Sequence, residues 1–239
     1  MKKRWSWVVI TGLLLTAFFN ANSWAISPEE VLTSIHENWA KIDDLQATIT
    51  IVTEIPGMQQ SMEQEGKYYY KAPDRIRIDI TAPSEQTTVI VGSTMTVKIA
   101  DKINTVDLTK FPGMENMSFQ GISSIEKWRE QYAFAITGTD QGIYTLEMKP
   151  KGENFLYSKM DMDIEYEKGV VKETRLYDKD GKLQTKMSYE EYVSVGDNVW
   201  YQTKLITQTD TPQGKARTET AYAEIEVNQG ISDEEFRLE

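Results

Sequence analysis

Hydrophobic and polar positions follow two different periods along this chain. Val31, Leu32, Ile35, Trp39 and Ile42 recur at helical spacing, which predicts one amphipathic helix over residues 28 to 42. Ser27 is placed to cap it, Pro28 to open its first turn and Glu30 to complete a capping box. From Leu45 the period becomes two. Leu45, Ala47, Ile49 and Ile51 alternate with Gln46, Thr48 and Thr50, and Ile76, Ile78 and Ile80 alternate with Arg75, Arg77 and Asp79. Met95, Val97 and Ile99 repeat the pattern, as do Met160, Met162 and Ile164. Each run predicts a strand with one apolar and one wet face. Turn residues such as Pro56-Gly57, Gly92-Ser93, Lys168-Gly169 and Asp180-Gly181 separate the runs, and about eleven to thirteen strands are expected. Residues 123 to 131, opening on Ser123-Ser124, read as a second, short helix. So many closely spaced strands with no Gly/Ser linker predict one strongly curved antiparallel sheet or open barrel.

The N-terminus departs from both periods. A basic start, Met1-Lys2-Lys3-Arg4, leads into an apolar run from Trp5 to Phe19 and then Ser23-Trp24-Ala25. This is the pattern of a secretory signal peptide cut after Ala25, leaving residues 26–239 as one exported domain. The other reading, an anchor helix, has a run that is short for a membrane span. The leader takes three positive charges and no acid with it, so the formal charge moves from −11 to −14. Such an acidic chain is a poor match for phosphate backbones, and no nucleic-acid partner is expected.

Composition narrows the chemistry further. With no cysteine and a single histidine, thiol nucleophiles, Cys-ligated zinc and iron–sulfur sites are excluded. His36 lies beside the helical stripe and reads as a surface or packing residue. Asp178-Lys179-Asp180-Gly181 resembles the start of a calcium loop, but the strand alternation after it favours a hairpin tip. The methionine pairs Met58/Met62, Met114/Met117 and Met160/Met162 lack supporting His or Cys and suit an adaptable apolar surface better than copper. Paired carboxylates such as Asp161/Asp163 and Glu190/Glu191 read as solvated strand faces. No phosphate loop or nucleophile elbow is present. No enzyme activity, cofactor or metal is expected.

One ordered stretch is more specific. Gly66-Lys67-Tyr68-Tyr69-Tyr70-Lys71-Ala72-Pro73 leads into Asp74-Arg75-Ile76-Arg77-Ile78-Asp79, then Ala82-Pro83 and Thr87-Thr88-Val89-Ile90-Val91-Gly92. Together with the N-terminal helix, the strand end Leu146-Glu147-Met148-Lys149-Pro150-Lys151, the Asp180-Gly181 hairpin and the terminal Ile231-Ser232-Asp233-Glu234-Glu235-Phe236, this order resembles the periplasmic outer-membrane lipoprotein carrier (LolA-like) family. The resemblance implies an unclosed antiparallel β-barrel with a lid helix over an apolar cavity for acyl chains. It implies a non-enzymatic, monomeric periplasmic carrier that takes lipoprotein or lipid from an inner-membrane transporter to an outer-membrane acceptor. The competing expectation is a lipid-binding envelope-stress sensor of the same fold. Ile49, Ile51, Tyr68, Tyr70, Ile76, Ile78, Ile80, Val89, Val91, Met95, Val97 and Ile99 would line the cavity, with Ile125 and Trp128 on the lid helix. The family's lid-fastening arginine before the first proline is replaced here by Ala72, so the cavity would open more readily. Residues 198 to 228 would form an extra long hairpin.

Overall fold

The computed structural model describes residues 26–110, 125–153, 155–196 and 198–238. The expected leader over 1–25, the pair Met114/Met117 and the Ser123-Ser124 start of the second helix lie outside these residues.

Helix α1 spans Pro28–Trp39, and its start is a complete capping box: Glu30 N donates to Ser27 Oγ at 3.2 Å and Ser27 N to Glu30 Oε2 at 2.6 Å. Val31, Leu32 and Ile35 form its buried stripe. The helix stops before the expected residue 42, and Ile42 is buried in the connection that follows. Near the helix end, buried Asn38 bonds the backbone of Trp200 in both directions, at 2.9 and 3.0 Å. That pair locks the helix to the sheet.

Thirteen strands follow: β1 Asp44–Glu54, β2 Met62–Lys71, β3 Arg75–Ala82, β4 Gln86–Val91, β5 Thr94–Ile99, β6 Lys102–Asp107, β7 Tyr132–Asp140, β8 Ile143–Pro150, β9 Lys159–Glu165, β10 Val170–Tyr177, β11 Leu183–Val195, β12 Val199–Thr211 and β13 Gly214–Val227. A short helix α2, Ile125–Gln131, precedes β7. The strands form one unclosed sheet in the order β6-β5-β4-β3-β2-β1-β13-β12-β11-β10-β9-β8-β7, every neighbour antiparallel. The chain therefore enters at the centre, winds out to one edge, crosses to the other and winds back beside its own first strand. The hairpin at Asp178–Lys182 and the long β12–β13 hairpin lie where the residues predict them.

The sheet's inner face, on which α1 packs, carries two apolar clusters. One joins Val31, Leu32 and Ile35 to Leu146, Met148, Met160, Met162 and Ile164, with Ile125 and Trp128 of α2. The other gathers Leu45, Ala47, Ile49, Tyr68, Tyr70, Ile76, Ile80, Val199 and Tyr201. The outer face is charged, for the alternation that buries one set of side chains wets the other. Across β9 to β11, Arg175 meets Asp163 and Glu173 at 2.6 Å each, and Lys186 meets Glu173 at 2.5 Å.

Candidate functional site

The expected cavity residues divide into three groups, and the strand register explains each. Across the inner face, Leu45 lies opposite Tyr70, Tyr70 opposite Ile76, Ile76 opposite Ile90 and Ile90 opposite Met95. In the next row Ala47, Tyr68, Ile78, Thr88 and Val97 are successive partners. In the third stand Ile49, Gly66, Ile80, Gln86 and Ile99. These rows set which side chains share a surface.

The first group is filled core. Ile49, Tyr68, Tyr70, Ile76 and Ile80 are buried, and the tyrosines belong to a chain of edge-on rings. Trp39 meets Tyr70 at 6.0 Å and Tyr201 at 5.7 Å; Tyr222 meets Tyr201 at 5.6 Å and Tyr68 at 5.9 Å. Such edge-to-face contacts add to burial and fix ring orientation. Burial pushes the Tyr70 hydroxyl up to about 12, with help from the Asp74 charge, and pushes Tyr68 well up. The wall is therefore uncharged at any physiological pH. Ile125 and Trp128 are also buried, but they pack in the cluster around α1.

The second group is a half-buried lane, apolar but for Thr88 between Ile78 and Val97 and Gln86 between Ile80 and Ile99, with Ile51 beyond its end opposite Gln64. Ile51, Ile78, Met95 and Val97 are only partly covered, and Ile99 at the end of β5 is 47% exposed. Half-buried Ile90 and Val106 join this lane, although the residue pattern did not single them out. Ala72, at the position of the family's arginine, is half-buried against the neighbouring cluster, and its N–H donates to Asp43 O at 2.8 Å.

The third group is a correction. Val89 and Val91 pair with Arg77 and Arg75, so both stand on the outer face, away from Ile78 and Ile90. Val89 is buried on the side where the C-terminal turn Asp233–Phe236 packs on β3 and β4; Val91 is exposed. Basic residues hold that turn: Lys71 and Arg75 each reach Asp233 at 2.5 Å, and Arg77 Nη1 donates to Glu235 O at 2.6 Å. Arg75 and Arg77 thus fasten the C-terminal segment on the outer face. A cleft of about 710 Å³ beside it is lined by Arg77, Lys98 and Arg237 against Glu85 and Glu234, a mixed-charge surface unlike the apolar lane.

The remaining motifs resolve simply. Asp178 Oδ1 accepts from Asp180 N at 3.0 Å and Lys182 N at 2.8 Å, closing a hairpin tip. Met160 and Met162 are core, whereas Met58 and Met62 are exposed. Among the described residues no helix is long and apolar enough to cross a membrane.

An unclosed antiparallel sheet with an N-terminal helix on its inner face is a fold this chain shares with several solved structures. A LolA superfamily protein from Nitrosomonas europaea superposes with TM-score 0.67 at 14% identity, covering 90% of this chain and 99% of that one. A domain from Vibrio parahaemolyticus assigned as an outer-membrane lipoprotein-sorting protein gives 0.66 at 15% identity, covering 88% and 97%. A DUF1329 family protein from Desulfovibrio piger gives 0.71 at 17% identity, covering 88% and 95%. At the level of sequence, a family model described as "Uncharacterized protein" matches residues 107–239, and the chain belongs to that family. No curated protein matches the sequence.

Proposed function

We propose that this chain is a periplasmic carrier of acylated cargo, lipoprotein or lipid, which it shields on its inner face and passes toward the outer membrane without making or breaking a bond. The observation that carries this reading is the half-buried lane of Ile51, Ile78, Ile90, Met95 and Val97, ending in exposed Ile99, on a LolA-type fold. Side chains left partly wet on the face where α1 packs are an apolar surface with burial still to gain. Burying a methylene is worth about 0.8 kcal/mol, so ten give about 8 kcal/mol. Association costs about 4–15 kcal/mol, which makes one acyl chain marginal and two or three effective. In this reading residues 1–25 are the leader, residues 26–239 are the carrier, and an inner-membrane transporter and an outer-membrane acceptor stand at either end of the route.

Native mass spectrometry after periplasmic expression tests it. The expected species begins at Ile26 and carries co-purified material with two or three acyl chains. Ile78→Asp places a carboxylate in the lane, where an unpaired charge is strongly disfavoured, and should abolish the adduct. Circular dichroism must show the variant folded. A folded Ile78→Asp protein with full cargo, or a product that keeps Met1 in the membrane fraction, would overturn the reading.

A further inference from the structure

Along β1 the inner face runs Ile49, Ile51, Thr53, from apolar to hydroxyl. The change is shared by the strands beside it. Thr53 lies opposite Thr218, Thr218 opposite Thr207, and Thr207 opposite Met187; in adjoining rows Thr220 lies opposite Ile51 and Leu205, and Thr209 opposite Thr185. All six threonines are half-buried. Two pairs bond each other, Thr53 with Thr218 and Thr185 with Thr209, each at 3.3 Å. A hydroxyl has one donor and two acceptor sites, so each bonded pair keeps one donor and three acceptor sites for another partner. Strand propensity alone would be met equally by valine.

The same rows hold no lysine, arginine, aspartate or glutamate. On these strands the charges stand on the outer face, paired as Lys204 with Glu219 at 3.1 Å and Lys186 with Glu173 at 2.5 Å. A phosphate seated among the threonines would lose water and gain no cation. An uncharged group that donates and accepts hydrogen bonds would exchange water for hydroxyls at little cost.

Resting on the carrier reading, we infer that this threonine floor is the subsite for an uncharged, hydrogen-bonding head group, a sugar or the amide-rich start of an acylated peptide. The acyl chains then lie along Ile51 and Ile78 and the head lies over Thr53, Thr207 and Thr218.

The test is equilibrium binding of three amphiphiles with identical acyl chains: a glucosyl diacylglycerol, a diacylated neutral peptide and phosphatidylglycerol. At least one neutral head should bind roughly tenfold tighter than phosphatidylglycerol, the worth of one or two net hydrogen bonds. Whichever neutral head binds tighter identifies the source. The Thr207→Val/Thr218→Val variant keeps shape and strand propensity, and should lose the preference. Thr207→Ser, which keeps the hydroxyl, should retain the preference, and provides the comparison if the double variant does not fold. Equal affinities, or an undiminished preference in a folded valine variant, would overturn the head-group subsite and leave the carrier reading standing. No binding of any of the three would overturn both.

Discussion

Gly66 shows how closely the inner face is built. It lies between Ile49 and Ile80, beside a register shift in the β2–β3 pairing. A Cβ there would sit 2.1 Å from the Asp79 carbonyl oxygen, which is backbone and cannot swing aside. Gly66→Ala must therefore push two strands apart, and is expected to cost about 1–3 kcal/mol, seen as a lower urea midpoint at unchanged slope. An unchanged midpoint would mean the strands yield freely. Asp44 works in the opposite sense, by supplying what backbone lacks. Its buried carboxylate accepts from Gln229 N at 2.8 Å, Gly230 N at 2.9 Å and Ile231 N at 3.2 Å, turning the chain as it leaves β13. In the sequence Asp44 is one of two acids in a connection, and nothing local distinguishes it from Asp43. Its role comes from residues far along the chain.

Among elements, the outer ladder of β9 to β11 has a definite acid response. Arg175 donates twice to Asp163, at 2.6 and 2.9 Å, and Thr145 donates at 2.8 Å. The Arg175 hydrogen bonds, more than any other contact, hold the Asp163 carboxyl below its ordinary 3.8. A carboxyl depressed in the folded state adds stability above its ordinary value and surrenders it as the pH falls through the lower folded one. Asp163→Asn should thus lower the urea midpoint at neutral pH and shrink the drop in midpoint below about pH 4. A drop as steep as in the parent would place the acid sensitivity elsewhere. Element faces were legible where polar residues separate apolar ones: Ile76, Ile78 and Ile80 declare their side, as do Met160, Met162 and Ile164. The run Val89-Ile90-Val91 is unbroken, so only pairing with β3 decides that Ile90 faces inward and its neighbours outward. The capping box of α1 was readable because all its parts lie within four residues. The Asn38 clamp was not, because its partner, Trp200, is 162 residues away. The spacing of Thr207 with Thr209 and Thr218 with Thr220 was a visible signal for the hydroxyl floor, but it acquires meaning only when the four strands are laid side by side.

At the scale of the whole molecule, the curved sheet was foreseeable from the number of short strands, and the order of those strands was not. That order places β1 against β13, so the centre of the sheet is a seam between the two ends of the folded chain; Gln46 and Glu226, bonded across it, are 180 residues apart. Each half, β1 to β6 and β7 to β13, is a meander of neighbouring hairpins. Local pairings close small loops and form early, whereas the seam must close nearly the whole chain. Assembly should therefore run in two stages, with strand content first and the joining of halves last. The rings mark the second stage, because Tyr68 on β2 meets Tyr222 on β13 across the seam, and Trp39 meets Tyr70 on one side and Tyr201 on the other. On dilution from urea, the far-ultraviolet circular dichroism should recover before the near-ultraviolet aromatic signal; simultaneous recovery would show that the halves do not form independently. A chain emerging N-terminus first holds one complete half until its last strand arrives, with the edge of β1 unpaired and open to wrong partners.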